Sequence, residues 1–307
     1  MDAELQAAFN TCIDAGINWF DTADSYGTGK LAGQSEKLLG KFIREYPGAS
    51  KRDDIRVATK FAPYPFRIGE GSMRQACQET LDRLERPVLD VAQLHWPPSL
   101  GWQEAAYLRA LAGLRAEGRV REIGLSNYGP RGLRRVHAAL AAAGAPLASN
   151  QVQFSLISRL PLESGLVDAA RELGVTPIAY SPLGLGLLTG KYGMGGKAGG
   201  SGGAAAALPP PPGPRGFLFR SLLPQLAPLL GTLAAVADAR RKTCSQVAVN
   251  WTMCKGAVPI VGVKSAAQAR EAAGALGWRL SAAEVEELDA AARRCRVQAQ
   301  QNIFQTD

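Results

Sequence analysis

The sequence predicts an α/β fold in which parallel strands form a (β/α)₈ barrel, the TIM barrel, without its first strand. Strand-like and helix-like segments alternate along the 307 residues, as they do in α/β proteins. The strand-like segments are short and almost wholly apolar, which is typical of buried parallel strands. No predicted strand leads into the G-x-G-x-x-G turn of an open, doubly wound sheet, so the barrel is favoured.

The first half of the chain predicts alternating helices and strands in a regular order. Apolar residues at helical spacing before Gly16 predict a helix over 3–15. Ser72 is the predicted N-cap of a helix that follows the second strand. The other elements predicted here are strands near 17–21, 55–59 and 88–94, and helices over 34–45, 72–85 and 97–118.

The second half continues this alternation, with one interruption. Pro130 lies in the first turn of a predicted helix, and Ser281 with Glu284 forms a capping box that begins the last helix. Between them, a Gly-, Ala- and Pro-rich stretch over 193–216 predicts a flexible surface loop. The other elements predicted here are strands near 121–125, 149–154, 176–180 and 257–263, and helices over 129–144, 162–174, 221–240, 243–255 and 265–276.

The composition limits the possible function classes. The five cysteines are scattered without zinc-ligand spacing, so we expect a reducing compartment, no disulfide framework and no metal site. No uninterrupted apolar run approaches the roughly 20 residues of a membrane span, and we expect no membrane partner. The net charge of +8 permits nucleic-acid binding, but the basic residues are spread without interleaved aromatics. A solvated basic surface that favours a phosphate-bearing ligand is the preferred interpretation.

Polar residues interrupt the predicted strands at their C-terminal ends. In a barrel these ends meet at one face, where the loops build the active site. A polar residue at a single strand end is usually a cap or a rim contact, but the same pattern on six strands indicates a functional site. The residues concerned are Asp21, Lys60, His95, Ser126, Asn127, Asn150, Gln151, Tyr180 and Ser181.

A candidate catalytic group consists of Asp21, Tyr26, Lys60 and His95. An aspartate beside a buried lysine keeps the ammonium charged, since an unpaired buried charge is costly. An ammonium beside a phenol favours the phenolate, which makes the phenol a stronger acid. A general acid of this kind contributes roughly 10²–10⁴-fold in rate, and a neighbouring histidine can orient a carbonyl oxygen. His137 lies in a predicted helix and is assigned to packing or surface.

Several motifs resemble the aldo-keto reductase family, in particular its bacterial and plant plastid-type members. The resemblance extends from residue 3 to about residue 292, and its specificity lies in seven motifs that occur in the right order. The motifs are FDTADSYG, VATKF, LDVAQLHWP, IGLSNY, NQVQFS, AYSPLGLGLLTGKY and PIVGVKSAAQAREAAGAL. The resemblance implies NADPH-dependent reduction of aldehydes and ketones on a (β/α)₈ barrel, with Tyr26 as the general acid and His95 orienting the substrate.

The resemblance also implies which residues bind the cofactor. Ser126, Asn127 and Gln151 match binders of the nicotinamide carboxamide, and Tyr180 matches the residue that stacks on the nicotinamide ring. Lys264 falls where the family binds the adenosine 2′-phosphate, although an exposed lysine that only caps the strand remains an alternative. The other matched positions are Ser181, Leu183 and Gly186 around the pyrophosphate, and Ser265, Gln268 and Glu271 toward the adenine. Alanine at position 272, where the family often has asparagine, puts one adenine contact in doubt.

The chain departs from the family at its start, because the barrel's usual first strand is not found. We expect that the sequence begins inside a longer protein, in which case a plastid location is as open as a cytoplasmic one; the alternatives are that another segment fills the gap or that the protein is unstable. The whole of 1–307 is predicted to be a single barrel domain. The sequence does not predict an oligomeric state.

The substrate is predicted only as a class, a small-molecule carbonyl compound. Phe61, Tyr64, Trp96 and Trp102 are expected to shape an apolar pocket for aromatic or medium-chain carbonyls, although core or rim packing explains the same residues equally well. An alternative function is an NADPH-binding redox sensor with little turnover. The complete set of four catalytic groups favours the enzyme.

Overall fold

The computed structural model describes residues 2–27, 33–192 and 208–295, and its centre is one parallel sheet. The seven strands lie side by side in chain order, as parallel barrel strands do. Both the seven strands and their parallel order were predicted and are confirmed. The strands are β1 (Trp19–Asp21), β2 (Arg56–Phe61), β3 (Leu89–Leu94), β4 (Val120–Ser126), β5 (Leu147–Gln153), β6 (Thr176–Tyr180) and β7 (Val258–Pro259).

Helices follow the strands and cover the sheet. Their buried apolar residues form one continuous core with the strands. The helices are α1 (Asp2–Asp14), α2 (Gln34–Glu45), α3 (Ala49–Arg52), α4 (Gly69–Leu84), α5 (Gly101–Ala116), α6 (Pro130–Ala142), α7 (Leu160–Glu163), α8 (Leu166–Glu172), α9 (Pro214–Arg240), α10 (Cys244–Cys254), α11 (Ala266–Ala273) and α12 (Ala282–Arg294). A 3₁₀-helix, Gly184–Thr189, follows β6.

The alternation of side chains along β2 determines what faces the functional edge of the sheet. Lys60 and Phe61 are adjacent, so they point to opposite faces of the strand. Phe61 is fully buried within the hydrophobic core, whereas Lys60 is buried beside Asp21 of the neighbouring strand. Because the strands are parallel, the polar residues at their C-terminal ends lie along one edge.

The sheet is open between β1 and β7, which do not pair with each other among the described residues. On the outside of this opening, α1 packs against α11. A cavity of about 860 Å³ occupies the opening and is lined by residues of both edge strands, including Trp19 and Val258. The cavity continues to the C-terminal ends of the central strands, where it reaches His95 and Asn127.

Several predicted element boundaries were wrong. Ser72 does not cap α4, which begins at Gly69; instead, the Ser72 hydroxyl donates a hydrogen bond to the Gly69 carbonyl. The helix predicted over 162–174 is divided into α7 and α8 because Gly165 adopts a left-handed φ of 74°. The strand predicted over 257–263 ends at Pro259, although the Ile260 amide still donates to the Ala179 carbonyl at 2.9 Å.

The helix α9 begins at Pro214, seven residues before its predicted start at 221. The loop predicted over 193–216 therefore ends earlier, and its residues 193–207 lie outside the described residues. By length and composition alone, α9 is apolar enough to cross a membrane. Its fully buried leucines, such as Leu226 and Leu233, explain this apolarity, because they pack in the protein core.

Candidate active site

A buried ion pair joins the ends of β1 and β2. The Lys60 ammonium donates to Oδ2 of Asp21, and it also donates to the Thr22 carbonyl at 2.7 Å. Only 1% of the Lys60 side chain and 8% of the Asp21 side chain are exposed. A buried ion pair is tolerated when its remaining hydrogen-bonding positions are filled. The Thr22 carbonyl, which accepts from Lys60, fills one of them.

Two amides complete the surroundings of the Asp21 carboxylate. Its Oδ1 accepts from Gln151 Nε2 at 2.7 Å and from Gln93 Nε2 at 3.1 Å. These donors come from β5 and β3, so three strands besides β1 hold this one carboxylate. Gln93 was not among the sequence-predicted site residues.

Tyr26 and His95 lie next to this ion pair. The Lys60 ammonium is 4.9 Å from the centre of the Tyr26 ring, and the rings of Tyr26 and His95 are 5.8 Å apart. Both aromatic residues line the cavity, and Tyr26 is 41% exposed. The structure thus brings together all four predicted catalytic residues.

The electrostatic surroundings keep His95 neutral. Burial and, secondarily, the nearby Lys60 charge lower the pKa of His95 to about 3. Both causes disfavour the imidazolium, because the protein neither solvates nor pairs a second positive charge here. At neutral pH the imidazole is therefore uncharged, and one of its ring nitrogens carries a proton that it can donate.

The predicted carboxamide binders form a network of their own along the strand ends. Asn127 donates to the His95 carbonyl at 2.9 Å and accepts from the Tyr180 hydroxyl at 3.0 Å. Ser126 donates to the Gln151 carbonyl at 2.9 Å. Asn127 has a left-handed φ of 66°, a strained conformation of the kind that concentrates at functional sites. The cavity is lined by Ser126, Asn127, Gln151 and Tyr180.

A tight turn follows β6 and presents backbone groups near the site. Ser181, Gly184 and Leu185 have positive φ angles of 54°, 53° and 57°, and Gly186 has 99°. Turns with left-handed residues direct successive N–H groups to one side, which favours anions. Arg215, which was not predicted, donates to the Leu185 carbonyl and adds a positive charge beside this turn.

The residues predicted at the adenine end surround the start of α11. Ser265 caps the helix by accepting from the Gln268 amide at 3.3 Å, and the Gln268 side chain accepts from the Lys264 amide at 2.7 Å. The Lys264 side chain is exposed, and Glu271 accepts a hydrogen bond from Thr243. A cation beside a capped helix start suits a phosphate group.

Comparisons with known proteins agree with this geometry. A sequence model described as the Aldo/keto reductase family matches residues 1–293. The chain belongs to the aldo/keto reductase family. It is 47% identical to a chloroplastic pyridoxal reductase of Arabidopsis thaliana, over 100% of this chain and 81% of the relative.

Two further comparisons support the fold and the cofactor. The chain is 31% identical to a 6-dehydroglucose reductase of Novosphingobium aromaticivorans, over 90% of this chain and 82% of the relative. It also matches the crystal structure of an aldo/keto reductase from Klebsiella pneumoniae in complex with NADP and acetate. That match has a TM-score of 0.73 and 25% identity, and it covers 100% of this chain and 89% of the other.

The cofactor of this aldo/keto reductase is NADP(H), as predicted, and the site fits it. The cavity of about 860 Å³ lies in the range of small-molecule sites and carries amide and hydroxyl groups for a carboxamide. Two positions of the turn after β6 leave little room for a side chain: a Cβ on Gly184 would lie 2.5 Å from Cδ1 of Ile157, and one on Gly186 would lie 2.9 Å from Nη2 of Arg215. The Gly184 and Gly186 amides donate to the Ser181 and Leu183 carbonyls at 2.9 Å, so these two glycines shape the turn itself.

An aromatic wall, defined here as Tyr64, Phe66, Trp96 and His95, extends outward from the catalytic residues. Tyr64 stacks on Phe66 at 5.0 Å and meets Trp96 edge-on at 6.2 Å, and Trp96 lies 4.9 Å from His95. Two of the four predicted pocket residues, Tyr64 and Trp96, belong to it. Phe66, which is 77% exposed, was not predicted.

The other two predicted pocket residues lie elsewhere. Phe61 is fully buried in the core, because its neighbour Lys60 occupies the opposite face of β2. Trp102 is on the first turn of α5 and is 57% exposed. None of the four predicted pocket residues lines the described cavity, and of the aromatic wall only His95 does.

A second ion pair connects the Tyr26 loop to the aromatic wall. Arg67 donates to Asp24 at 2.7 Å and to the Ala62 carbonyl at 2.6 Å. Asp24 is two residues before Tyr26, and Arg67 lies 5.6 Å from the Tyr64 ring centre. The pair therefore fixes the loop after β2 relative to the loop that carries the candidate acid.

Proposed function

We propose that this aldo/keto reductase reduces aldehydes with NADPH and that Tyr26 is the general acid. The observation that carries the proposal is the position of the buried Lys60 ammonium, 4.9 Å from the centre of the Tyr26 ring and held by Asp21. A positive charge so close to a phenol favours loss of the phenolic proton. A side chain that protonates the substrate in the transition state contributes roughly 10²–10⁴-fold in rate.

Each residue of the site has a distinct role in this proposal. When bound, NADPH supplies the hydride that reduces the carbonyl carbon. Tyr26 gives its proton to the carbonyl oxygen as the carbonyl group is reduced to an alcohol. Lys60 stabilises the phenolate that remains on Tyr26. His95, being neutral, donates one N–H to the same oxygen and orients the substrate. A proton from water restores Tyr26.

We propose that the substrate is a planar heteroaromatic aldehyde of the pyridoxal class. The 47% identical relative is named for pyridoxal reduction, and the aromatic wall offers ring faces beside the catalytic residues. Aromatic pairs in stacked or edge-on geometry contribute about 0.5–1.5 kcal/mol beyond area burial. A flat pyridine ring can stack on such faces, which supports a heteroaromatic aldehyde.

The decisive test compares the wild-type protein with Tyr26→Phe. We expect wild type to oxidise NADPH in the presence of pyridoxal, and Tyr26→Phe to lose roughly 10²-fold or more in kcat. NADPH affinity, measured by quenching of tryptophan fluorescence, should change little, because the substitution removes only a hydroxyl. Full turnover in Tyr26→Phe would refute the acid, and quenching without turnover in wild type would support a redox sensor instead.

We also propose a plastid location, as in the relative named chloroplastic. The test is the location of the protein in cells that express its complete natural transcript with a C-terminal fluorescent tag. Fluorescence confined to the cytosol would contradict this proposal without affecting the enzymatic one.

A further inference from the structure

Gln93 is a buried polar residue whose position points to a role in catalysis. Its side chain is fully buried, and its Nε2 donates to Oδ1 of Asp21 at 3.1 Å. In the strand register Gln93 is the partner of Lys60 on β2. It therefore lies beside the ion pair and contacts the member of the pair that holds the ammonium.

The chain makes room for Gln93 with a glycine on the next strand. Gly124 of β4 is the register partner of Gln93 on its other side. A Cβ at position 124 would lie 2.8 Å from Cγ of Gln93 and 2.6 Å from Oγ of Ser149. Any other residue at 124 would force Gln93 or Ser149 to shift, although glycine weakens a strand interior.

The glutamine at position 93 also has a cost in folding free energy. Its Oε1 is buried without a hydrogen-bond partner among the described residues. An unpaired buried carbonyl costs free energy that an apolar side chain of similar size would not. A leucine at this position would suit the interior better, so stability alone does not explain the glutamine.

We infer that Gln93 is a positioning residue, which holds the Asp21 carboxylate in the orientation that keeps Lys60 beside Tyr26. This inference rests on the proposed function. Asp21 has one oxygen on Lys60 and the other on two amides, and loss of one amide frees the carboxylate to rotate. A displaced ammonium stabilises the Tyr26 phenolate less well, so proton transfer slows while the binding surfaces stay intact.

The first variant is Gln93→Leu, which keeps the volume and removes the donor. We expect kcat for pyridoxal to fall about 10- to 100-fold, as small misplacements in active sites do. The KM and the NADPH affinity should stay within about twofold. The Tm should change little, because the lost hydrogen bond to Asp21 opposes the gain from removing the unpaired carbonyl. A fall in kcat together with a large loss of Tm would overturn the inference and assign Gln93 to stability.

The second variant is Gln93→Glu, which gives a signature in pH that packing alone does not produce. The charged groups beside position 93 are Asp21 and Lys60; Tyr26 contacts Lys60, and His95 lies two residues further on β3. A glutamate beside Asp21 donates a hydrogen bond only when protonated, because two carboxylates repel each other. Relative to wild type, we therefore expect Gln93→Glu to recover activity as the pH falls. A constant ratio over the pH range would count against the inference.

The matched control is Gln6→Leu on α1. Gln6 also has a buried Oε1 without a partner in the described part of the chain, and its Nε2 donates to Asn10 and to the Phe42 carbonyl, away from the catalytic residues. The same substitution there should leave kcat and its pH profile unchanged. An equal fall in kcat for Gln6→Leu and Gln93→Leu would overturn the positioning role.

A measurement that does not depend on turnover tests the role of Gln93 separately from the proposed function. The tyrosinate absorbance of Tyr26 is measured as a function of pH. It is the difference between the absorbance of each protein and that of the same protein carrying Tyr26→Phe. Its midpoint should move to higher pH in Gln93→Leu, and not in Gln6→Leu. A wild type without turnover refutes the proposed function only, whereas an unmoved midpoint refutes the role of Gln93.

Discussion

At the residue scale, His95 contributes a pH dependence to folding. Its pKa is about 3 in the folded protein, because of burial and the Lys60 charge, and its ordinary value is 6.5. Between these values the unfolded chain binds a proton that the folded protein does not. The free energy of unfolding is therefore not reduced by His95 above pH 6.5, and it decreases as the pH falls toward 3.

We expect His95→Gln to reduce the loss of stability between pH 7 and pH 5, measured by urea unfolding at both values. The chain has one other histidine, so His137→Gln is the control, and it should leave the wild-type pH dependence in place. The kcat profile of wild type should show no step from His95 between about pH 5 and 8. An identical pH dependence of unfolding in wild type and His95→Gln would contradict this account.

Phe66 determines how far the aromatic wall extends. Its ring is 77% exposed and stacks on Tyr64 with an interplanar angle of 13°. We expect Phe66→Ser to raise the KM for pyridoxal about 3- to 10-fold and to leave kcat nearly unchanged, because stacking acts on binding. The KM for glyceraldehyde, which has no ring, should stay constant. Phe217→Ser removes an equally exposed ring on α9 and should change neither value.

Three of the four predicted catalytic residues, Asp21, Lys60 and His95, were predictable because each follows an apolar run at a strand end, where polarity stands out, and Tyr26 lies in the loop just after Asp21. Gln93 could not be found this way, since it lies within a strand and its contact with Asp21 depends on a strand register that the sequence does not state. Phe61 was placed in the pocket because the face of a residue on an all-apolar strand cannot be read from its pattern. Only the position of Lys60 shows which face Phe61 occupies.

At the element scale, Glu284 joins two helices. It accepts from the Ser281 amide at 2.7 Å as part of the capping box of α12, and it pairs with Arg240 at the end of α9. The hydrogen bond from Arg240 is the main cause that lowers the pKa of Glu284 to about 2. The carboxylate therefore stabilises the folded protein fully above about pH 4.5, and this stabilisation is lost as the pH falls toward 2.

We expect Glu284→Gln to lower the Tm at pH 7 and to lower it less as the pH approaches 3. Thermal unfolding followed by circular dichroism measures both effects. Glu286→Gln is the matched control on the same helix, because the Glu286–Arg293 pair is well exposed and such pairs contribute little. Equal losses of Tm in the two variants would show that the capping box and the Arg240 pair have no special importance.

The capping box of α12 was predicted and is confirmed, because Ser and Glu at that spacing act through local contacts alone. The predicted cap at Ser72 was wrong because local sequence alone did not decide the position of this serine. Nothing local distinguishes a serine that caps a helix from one that lies inside its first turn. The start of α9 was missed because the prolines around 214 indicated a loop, although proline is also well tolerated in the first turn of a helix.

At the scale of the whole molecule, the open sheet should show a gradient of local stability. The strand β4 pairs with neighbours on both sides, whereas β1 and β7 have a paired strand on one side only among the described residues. We expect amide hydrogen exchange to be slowest in β3 to β5 and fastest in β1 and β7. Uniform protection across the seven strands would indicate that the opening between β1 and β7 is closed in solution.

The order of the strands was predictable because each βα unit places its strand beside the preceding one, so alternation alone gives the topology. The opening was inferred from a count of seven strands and is seen between β1 and β7. The cavity in that opening could not be predicted. Its walls include Cys12 and Met253 of two helices, and their approach depends on the packing of α1 against α11.

The double anchoring of Lys60 has a consequence for a protein that handles aldehydes. Primary amines condense with aldehydes to Schiff bases, but only as the free amine with an available lone pair. The nitrogen of Lys60 is held as an ammonium by Asp21 and the Thr22 carbonyl, within a space that leaves 1% of the side chain exposed. The ion pair with Asp21 thus disfavours covalent capture of Lys60 by an aldehyde.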